Sequence, residues 1–347
     1  MHLIKEIMAI YNSDKLNITY SCIEDNITIC TNDTISTRII VEPLQTIGFY
    51  EAHFRLYYEI KGKLNVGKQT VEHIKLENQN TWIVGNKYTY DLTFRIPNTP
   101  ISFSGSHLEI VWYLTIELDL DTSTKSDIRS DFLKNNRLLG LLKSYDGKII
   151  EKRPLVIYRG NSFYVIENFN YSLDTTSNHY FFIGIIILSI DISLYLVNSY
   201  GFLSIIALLI GIAFLTYGGY KSLTVGLLDE LKIKGEAITQ GKFRVALSFK
   251  KNASKISSIS FFYSINEEVV DQRGTSSTTY KETIYKSKEE TLLTPFDNQI
   301  YKEILFDKGE FPTSFEYKTA RLYWQLHVRF HFKNGLSYTV KRNLEVS

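Results

Sequence analysis

Two histidines four residues apart, His327 and His331, and three acids spaced by two, Glu117, Asp119 and Asp121, are where this chain's residue types and spacing could hold a metal ion. On a helix, residues four apart share a face, and a histidine pair there suits a divalent cation. On a strand the same spacing separates them by about 13 Å at ~3.3 Å per residue. Both histidines lie in ARLYWQLHVRFHF, which alternates with period two, so we expect them at the surface of a strand. The three acids alternate in the same way along LEIVWYLTIELDL, and a solvated sheet face is expected rather than a cation site. Ser104-Gly105-Ser106 lacks the glycine spacing of a nucleophile elbow. No phosphate-binding GxxxxGK[ST] or GxGxxG run, no GxSxG and no HExxH occurs. We therefore expect a protein that is not an enzyme and carries no cofactor or metal.

One further ionisable group is exceptional for its surroundings. Asp191 lies in YFFIGIIILSIDISLYLV, which is followed by Asn198-Ser199-Tyr200-Gly201 and then FLSIIALLIGIAFLTYGG. Each apolar half has 18 residues, about 27 Å of helix at 1.5 Å per residue and close to the thickness of a bilayer's hydrocarbon core. The polar turn between them predicts a transmembrane helical hairpin over 180–197 and 202–219, entering and leaving the bilayer on one side. Ser189 with Ser193 and Ala207 with Gly211 form two small-x-x-x-small pairs at comparable depth, the expected seam of the hairpin. At about 100° per residue, Asp191 lies about 200° from both serines and should point away from that seam. An acid inside a membrane marks function by default, and we expect Asp191 to contact a second copy or a partner membrane protein.

Charge and cysteines narrow the setting. Lys and Arg number 39 against 37 Asp and Glu, a formal charge of +2, too balanced for nucleic-acid binding by bulk electrostatics. Cys22 and Cys30 make no disulfide framework and have no zinc-ligand spacing around them, which favours a reducing compartment. The first fifteen residues contain no apolar run of signal-peptide length. Lys152, Arg153 and Arg159 precede the hairpin, Lys221, Lys232 and Lys234 follow it, and the turn is uncharged. By the positive-inside rule both flanking domains are expected in the cytoplasm, on an integral protein of the inner or plasma membrane.

Those flanks read as β-structure. Before the hairpin come LNITYSC, NITICT, STRIIVEP, AHFRLYYEIKGK, KQTVEHIKLEN, KYTYDLTFRIP and LEIVWYLTIELDL; after it come KFRVALSFKK, SSISFFYSINEE, NQIYKEILF, ARLYWQLHVRFHF and LSYTVKRNLEV. Such bursts, rich in β-branched and aromatic residues and bounded by Asn, Asp, Gly and Pro, predict antiparallel sandwiches. RLLGLLKSYDG, from Arg137, reads as a short helix packed on the sandwich or lying on the membrane. The polar stretch 271–294 reads as a mobile hairpin or long loop.

The two flanks repeat each other. Pro100, Ser102, Phe103 and Trp112 match Pro312, Ser314, Phe315 and Trp324 at one offset, 212 (324 − 112), and Leu114, Ile116 and Leu118 fall on Leu326, Val328 and Phe330. The strand ending Phe-x-Ile-Pro, the Pro-x-Ser-Phe turn with Gly105 and the strand Leu-Glu-Ile-Val-Trp-Tyr-Leu-Thr-Ile-Glu-Leu-Asp together resemble the arrestin-like domain. The resemblance implies a mainly β chain with two arrestin-like antiparallel β-sandwiches and the role of an adaptor or scaffold. Its departures are the hairpin between the sandwiches, the lack of a Pro-Pro-x-Tyr tail and the lack of an assignable polar core. The expected domains are a sandwich over 1–165, a linker over 166–179, the hairpin over 180–219 and a second sandwich over 220–347.

The repeat also sets an acidic strand face (Glu117, Asp119, Asp121) against a basic one (His327, Arg329, His331, Lys333), faces that could dock the two domains or neighbouring copies. The expected function is a non-enzymatic, membrane-anchored adaptor that binds a protein partner beside the bilayer, with a homo-oligomer as an option and no nucleic acid. The alternative is a structural subunit of a membrane channel, transporter or secretion assembly, with the hairpin packed among other transmembrane helices.

Overall fold

The structure, a computed structural model, describes residues 15–20, 28–62, 66–76, 80–127, 148–160, 164–173, 178–196, 202–228, 230–239, 241–250, 253–273, 275–294, 296–306 and 311–347. The expected short helix from Arg137 and the turn at 198–201 lie outside the described residues. Period-two alternation of apolar side chains gives strands β1 (Leu16–Tyr20), β2 (Ile29–Cys30), β3 (Thr34–Pro43), β4 (Ile47–Lys61), β5 (Val66–Lys75), β6 (Thr81–Trp82), β7 (Tyr88–Arg95), β8 (Phe103–Ser104), β9 (Glu109–Leu120), β10 (Lys148–Leu155), β11 (Ile157–Tyr158) and β12 (Phe169–Ser172). Helices α1 (Asn178–Leu196) and α2 (Phe202–Val225) follow. The chain then returns to strands with β13 (Lys232–Thr239), β14 (Lys242–Ser248), β15 (Ile256–Arg273), β16 (Ser276–Lys286), β17 (Glu290–Leu293), β18 (Gln299–Leu305), β19 (Phe315–Tyr317), β20 (Ala320–Phe332) and β21 (Ser337–Leu344). The chain is mainly β, with a helical segment between two β-rich halves, the class expected from the strand patterns.

The duplication extends to topology. In the first half one sheet runs β10-β9-β4-β5, with β8 on β9 and β6 on β4; in the second the order β16-β15-β20-β19 has β21 on β20 and β17 on β15. Counterparts therefore coincide: β9 with β20, β4 with β15, β10 with β21 and β8 with β19. The smaller sheets, β1-β3-β7 and β12-β13-β14-β18, match in β3-β7 and β14-β18. Trp112 and Trp324, the repeat's tryptophans, are both fully buried.

By compactness the chain divides into two units. Unit 1 comprises residues 1–162, 267–282 and 309–322, and unit 2 comprises 163–266, 283–308 and 323–347. In unit 1 the larger sheet meets the smaller where Phe54 of β4 packs on Tyr90 of β7, ring centroids 5.4 Å apart. Trp82 is enclosed beside them and donates Nε1–H to the Tyr90 hydroxyl at 3.0 Å. Within unit 2, Phe306 at the end of β18 packs on Tyr263 (4.7 Å) and Trp324 (5.7 Å) of the facing sheet.

One local alternative is decided and one local expectation is corrected. The stretch 271–294 takes the hairpin of the two alternatives and not the long loop: it carries the end of β15, then β16 beside it in the sheet, and β17, because SSTTYKETIYK alternates β-formers despite its polarity. Helix α2 also runs past residue 219, because its last turn packs into unit 2. Thr224, Val225 and Leu228 are fully buried, and the Tyr220 hydroxyl donates to the Ser337 carbonyl at 2.5 Å.

Candidate functional site

The helical pair is closed by glycine. A Cβ on Gly184 would stand 2.8 Å from the Leu215 backbone nitrogen, and one on Gly211 would stand 2.9 Å from Leu188 Cγ and 3.2 Å from Ile187 Cγ2. The seam on α1 therefore follows Gly184, Ile187, Leu188 and Asp191, an i, i+3, i+4, i+7 stripe, and on α2 it passes Gly211. Gly211 lies where the sequence placed it and Ala207 is half-buried, whereas Ser189 and Ser193 are exposed. Each serine donates its hydroxyl to its own helix, Ser189 to Ile185 O and Ser193 to Ser189 O, both at 2.8 Å. Back-bonding of this kind satisfies a serine without a second helix. The 200° separation of Asp191 from the serines holds, but the phase is reversed: Asp191 is buried in the seam, and its Oδ1 has no hydrogen-bond partner.

Around that seam the outer surface is apolar. Phe182, Ile186, Ile190 and Ile192 on α1, with Leu209, Ile210, Ile212 and Leu223 on α2, are all exposed. Among the described residues one helix, Ile205–Leu228, is long and apolar enough to cross a membrane, and the apolar part of α1, Phe181–Ser193, is shorter.

The acidic strand face of unit 1 is not solvated in the way expected. Glu117 is buried and ion-paired with Arg55 of β4 (2.8 Å) and Lys148 of β10 (2.9 Å). Burial alone would raise its carboxyl, but Lys148 and Arg55 reverse that and hold it below the usual carboxylate range. Asp119 pairs with Lys125 at 3.2 Å. Asp121 caps the short helical turn over 122–127, accepting from the Thr124 amide at 2.7 Å and the Ser123 hydroxyl at 3.0 Å. Each acid thus has a partner on its own unit.

Its repeat counterpart in unit 2 differs. His327 is buried rather than on the surface, stacked on Phe262 at 4.4 Å and 11°, with its Nε2 2.8 Å from Ser264 Oγ. Asn266 donates to Ser264 Oγ (3.0 Å), and Thr283 donates to Asn266 Oδ1 (2.7 Å). Lys286 Nζ sits 4.3 Å from the Phe262 ring centroid and the Arg329 guanidinium 5.4 Å from it. With Gln325, Thr339 and Lys341 these residues line a shallow concavity of about 380 Å³. Arg329 has one acidic neighbour, Glu289 at 3.4 Å; Lys286 and Lys341 have none among the described residues. His331, at the end of β20, is half-buried and outside this lining. The concavity is thus cationic and rich in hydroxyl and amide groups, suited to a carboxylate-bearing ligand.

Burial pushes the His327 imidazole down to about 4, helped by Lys341, Lys286 and Arg329. It is therefore neutral at pH 7. The unfolded chain takes up this proton first, so the stability tied to His327 is present above about pH 6.5 and is lost as pH falls towards 4. An NMR titration should give a His327 midpoint near 4, and His327→Gln should flatten this part of the acid limb. A midpoint at 6 or above would mean that the ring is solvated.

No family model matches the sequence, and no curated protein matches it. Among solved structures, the crystal structure of Spo0M, a sporulation control protein from Bacillus subtilis, is similar at 8% identity and a TM-score of 0.29, over 78% of this chain and 90% of that one.

Proposed function

We propose that this chain is a non-enzymatic, membrane-anchored adaptor: the helical pair sits in the bilayer, and the β-sheets, on the cytoplasmic side, hold a protein partner beside it. The carrying observation is the outer surface of α1 and α2, where isoleucine, leucine and phenylalanine lie exposed over successive turns. In water an apolar surface of that extent is strongly unfavourable; in hydrocarbon it is the ordinary exterior of a spanning hairpin. The lysines and arginines on both sides of the pair support the cytoplasmic placement, and the cationic concavity of unit 2 supports a partner with an acidic segment. Resemblance to arrestin-like domains supports the adaptor role.

Alkaline carbonate washing should leave the intact chain in the membrane pellet. A variant with 174–219 replaced by a flexible polar linker, which keeps the buried Thr224, Val225 and Leu228, should move to the supernatant with its β-sheets folded. Extraction of the intact chain by carbonate would overturn the anchor. A mild-detergent pull-down should recover a partner that Lys286→Glu with Lys341→Glu releases. The second reading, a subunit of a channel, transporter or secretion assembly, is favoured by the buried acid in the seam, Asp191. Replacing the pair by an unrelated hairpin preserves activity for an adaptor and abolishes it for such a subunit.

A further inference from the structure

Glu267 of β15 is completely buried in unit 1, yet its Oε2 has no hydrogen-bond partner. Its other oxygen is held, with Oε1 accepting the His107 amide at 2.8 Å. The loop before β9 presses on the carboxylate so closely that a Cβ on Gly105 would stand 2.1 Å from Oε2, which leaves glycine as the residue that fits there. Two further donors converge. His107, in the same loop, places Nε2 3.4 Å from Oε2 of Glu282 on β16, and one ligand atom from each of His107, Glu267 and Glu282 lies within 4.8 Å of the others. Two carboxylates this close, one of them desolvated, repel each other unless a proton or a cation lies between them.

We propose that His107, Glu267 and Glu282 form a divalent-metal site that clips the β15–β16 hairpin to the loop before β9. The donor set selects the ion. One imidazole nitrogen and two carboxylate oxygens match Zn²⁺ and its first-row neighbours, whereas Ca²⁺ takes oxygen ligands alone. Zinc bonds near 2.0–2.2 Å need the three donors closer than they stand here. Glu282 supplies the movement, because its side chain is about half exposed (46%) while Glu267 is fixed. The Glu267 oxygen bonded to the His107 amide orients the carboxylate in the way that metal ligands are commonly oriented by an outer hydrogen bond.

The test uses the full chain in detergent micelles, stripped with a chelator and titrated calorimetrically with ZnCl₂, with CaCl₂ as the counter-probe. One Zn²⁺ per chain should bind, raise the melting temperature and leave Ca²⁺ without saturable binding. His107→Ala and Glu282→Gln should each weaken Zn²⁺ binding at least tenfold, while the metal-free melting curve of Glu282→Gln stays at the parental value because that side chain is about half exposed (46%). Co²⁺ in place of Zn²⁺ should give a visible absorption band that both variants lose. Absence of saturable Zn²⁺ binding overturns the site, as does Zn²⁺ binding that survives both substitutions.

Discussion

Trp112→Ala and Trp324→Ala should each remove about 3 to 5 kcal/mol from the unit that contains the tryptophan and leave the other unit's transition in place. Trp112 packs on Tyr58 at 4.9 Å and donates Nε1–H to the Pro100 carbonyl at 3.2 Å. Truncation would therefore open a cavity and orphan a buried acceptor together. Trp324 is held between Tyr164 (4.8 Å), Tyr263 (5.5 Å) and Phe306 (5.7 Å), an aromatic cluster that an alanine cannot fill. Calorimetry with pulse proteolysis reads both effects. A variant that melts like the parent would show that its tryptophan is not a core residue and that the repeat does not mark equivalent cores.

The second large effect is expected in the helical pair. At Gly184 the obstacle is the Leu215 backbone, which cannot rotate away as a side chain end could. Gly184→Leu should force the helices apart, costing about 1 to 3 kcal/mol as overpacking does elsewhere. Ser189→Leu, on the exposed face, is the matched control and should cost little. Spin labels at the outward positions Ile186 and Leu209 measure the separation. Equal distances in parent, Gly184→Leu and Ser189→Leu would place the seam elsewhere.

Strand existence and the repeat were legible because period two survives single-sequence reading wherever one face is buried. The 212-residue offset holds at the level of topology, with β9 and β20 in equivalent sheet positions. What alternation does not reveal is how a sheet's second face is covered. Glu117 is hidden by Arg55 and Lys148 from flanking strands, and His327 lies flat on Phe262; both neighbours come from other strands and leave no trace in local spacing. In the helical pair, counting 100° per residue gave the angle between Asp191 and the serines but not which side faces α2. That was decided by Gly184 and Gly211, whose missing side chains permit contact, while the serines satisfied themselves. His107, Glu267 and Glu282 could not be found from spacing at all, being 160 and 15 residues apart in turn (267 − 107 and 282 − 267).

The β12–β13 ladder closes the helical segment at a single junction. These strands pair from Phe169–Gly235 to Ser172–Lys232, and the Leu173 amide then bonds to the Leu231 carbonyl at 2.9 Å, so the chain leaves the sheet and re-enters it at one point. Everything between, 57 residues (231 − 173 − 1), occupies the place of a hairpin turn. Closing such an excursion in place of a four-residue turn costs about 2 to 3 kcal/mol at roughly 0.6 kcal/mol per doubling of length. The segment is nevertheless not a free-standing graft, because its last residues, Thr224, Val225 and Leu228, are buried in unit 2, so exchanging the helices for others would have to keep that final turn.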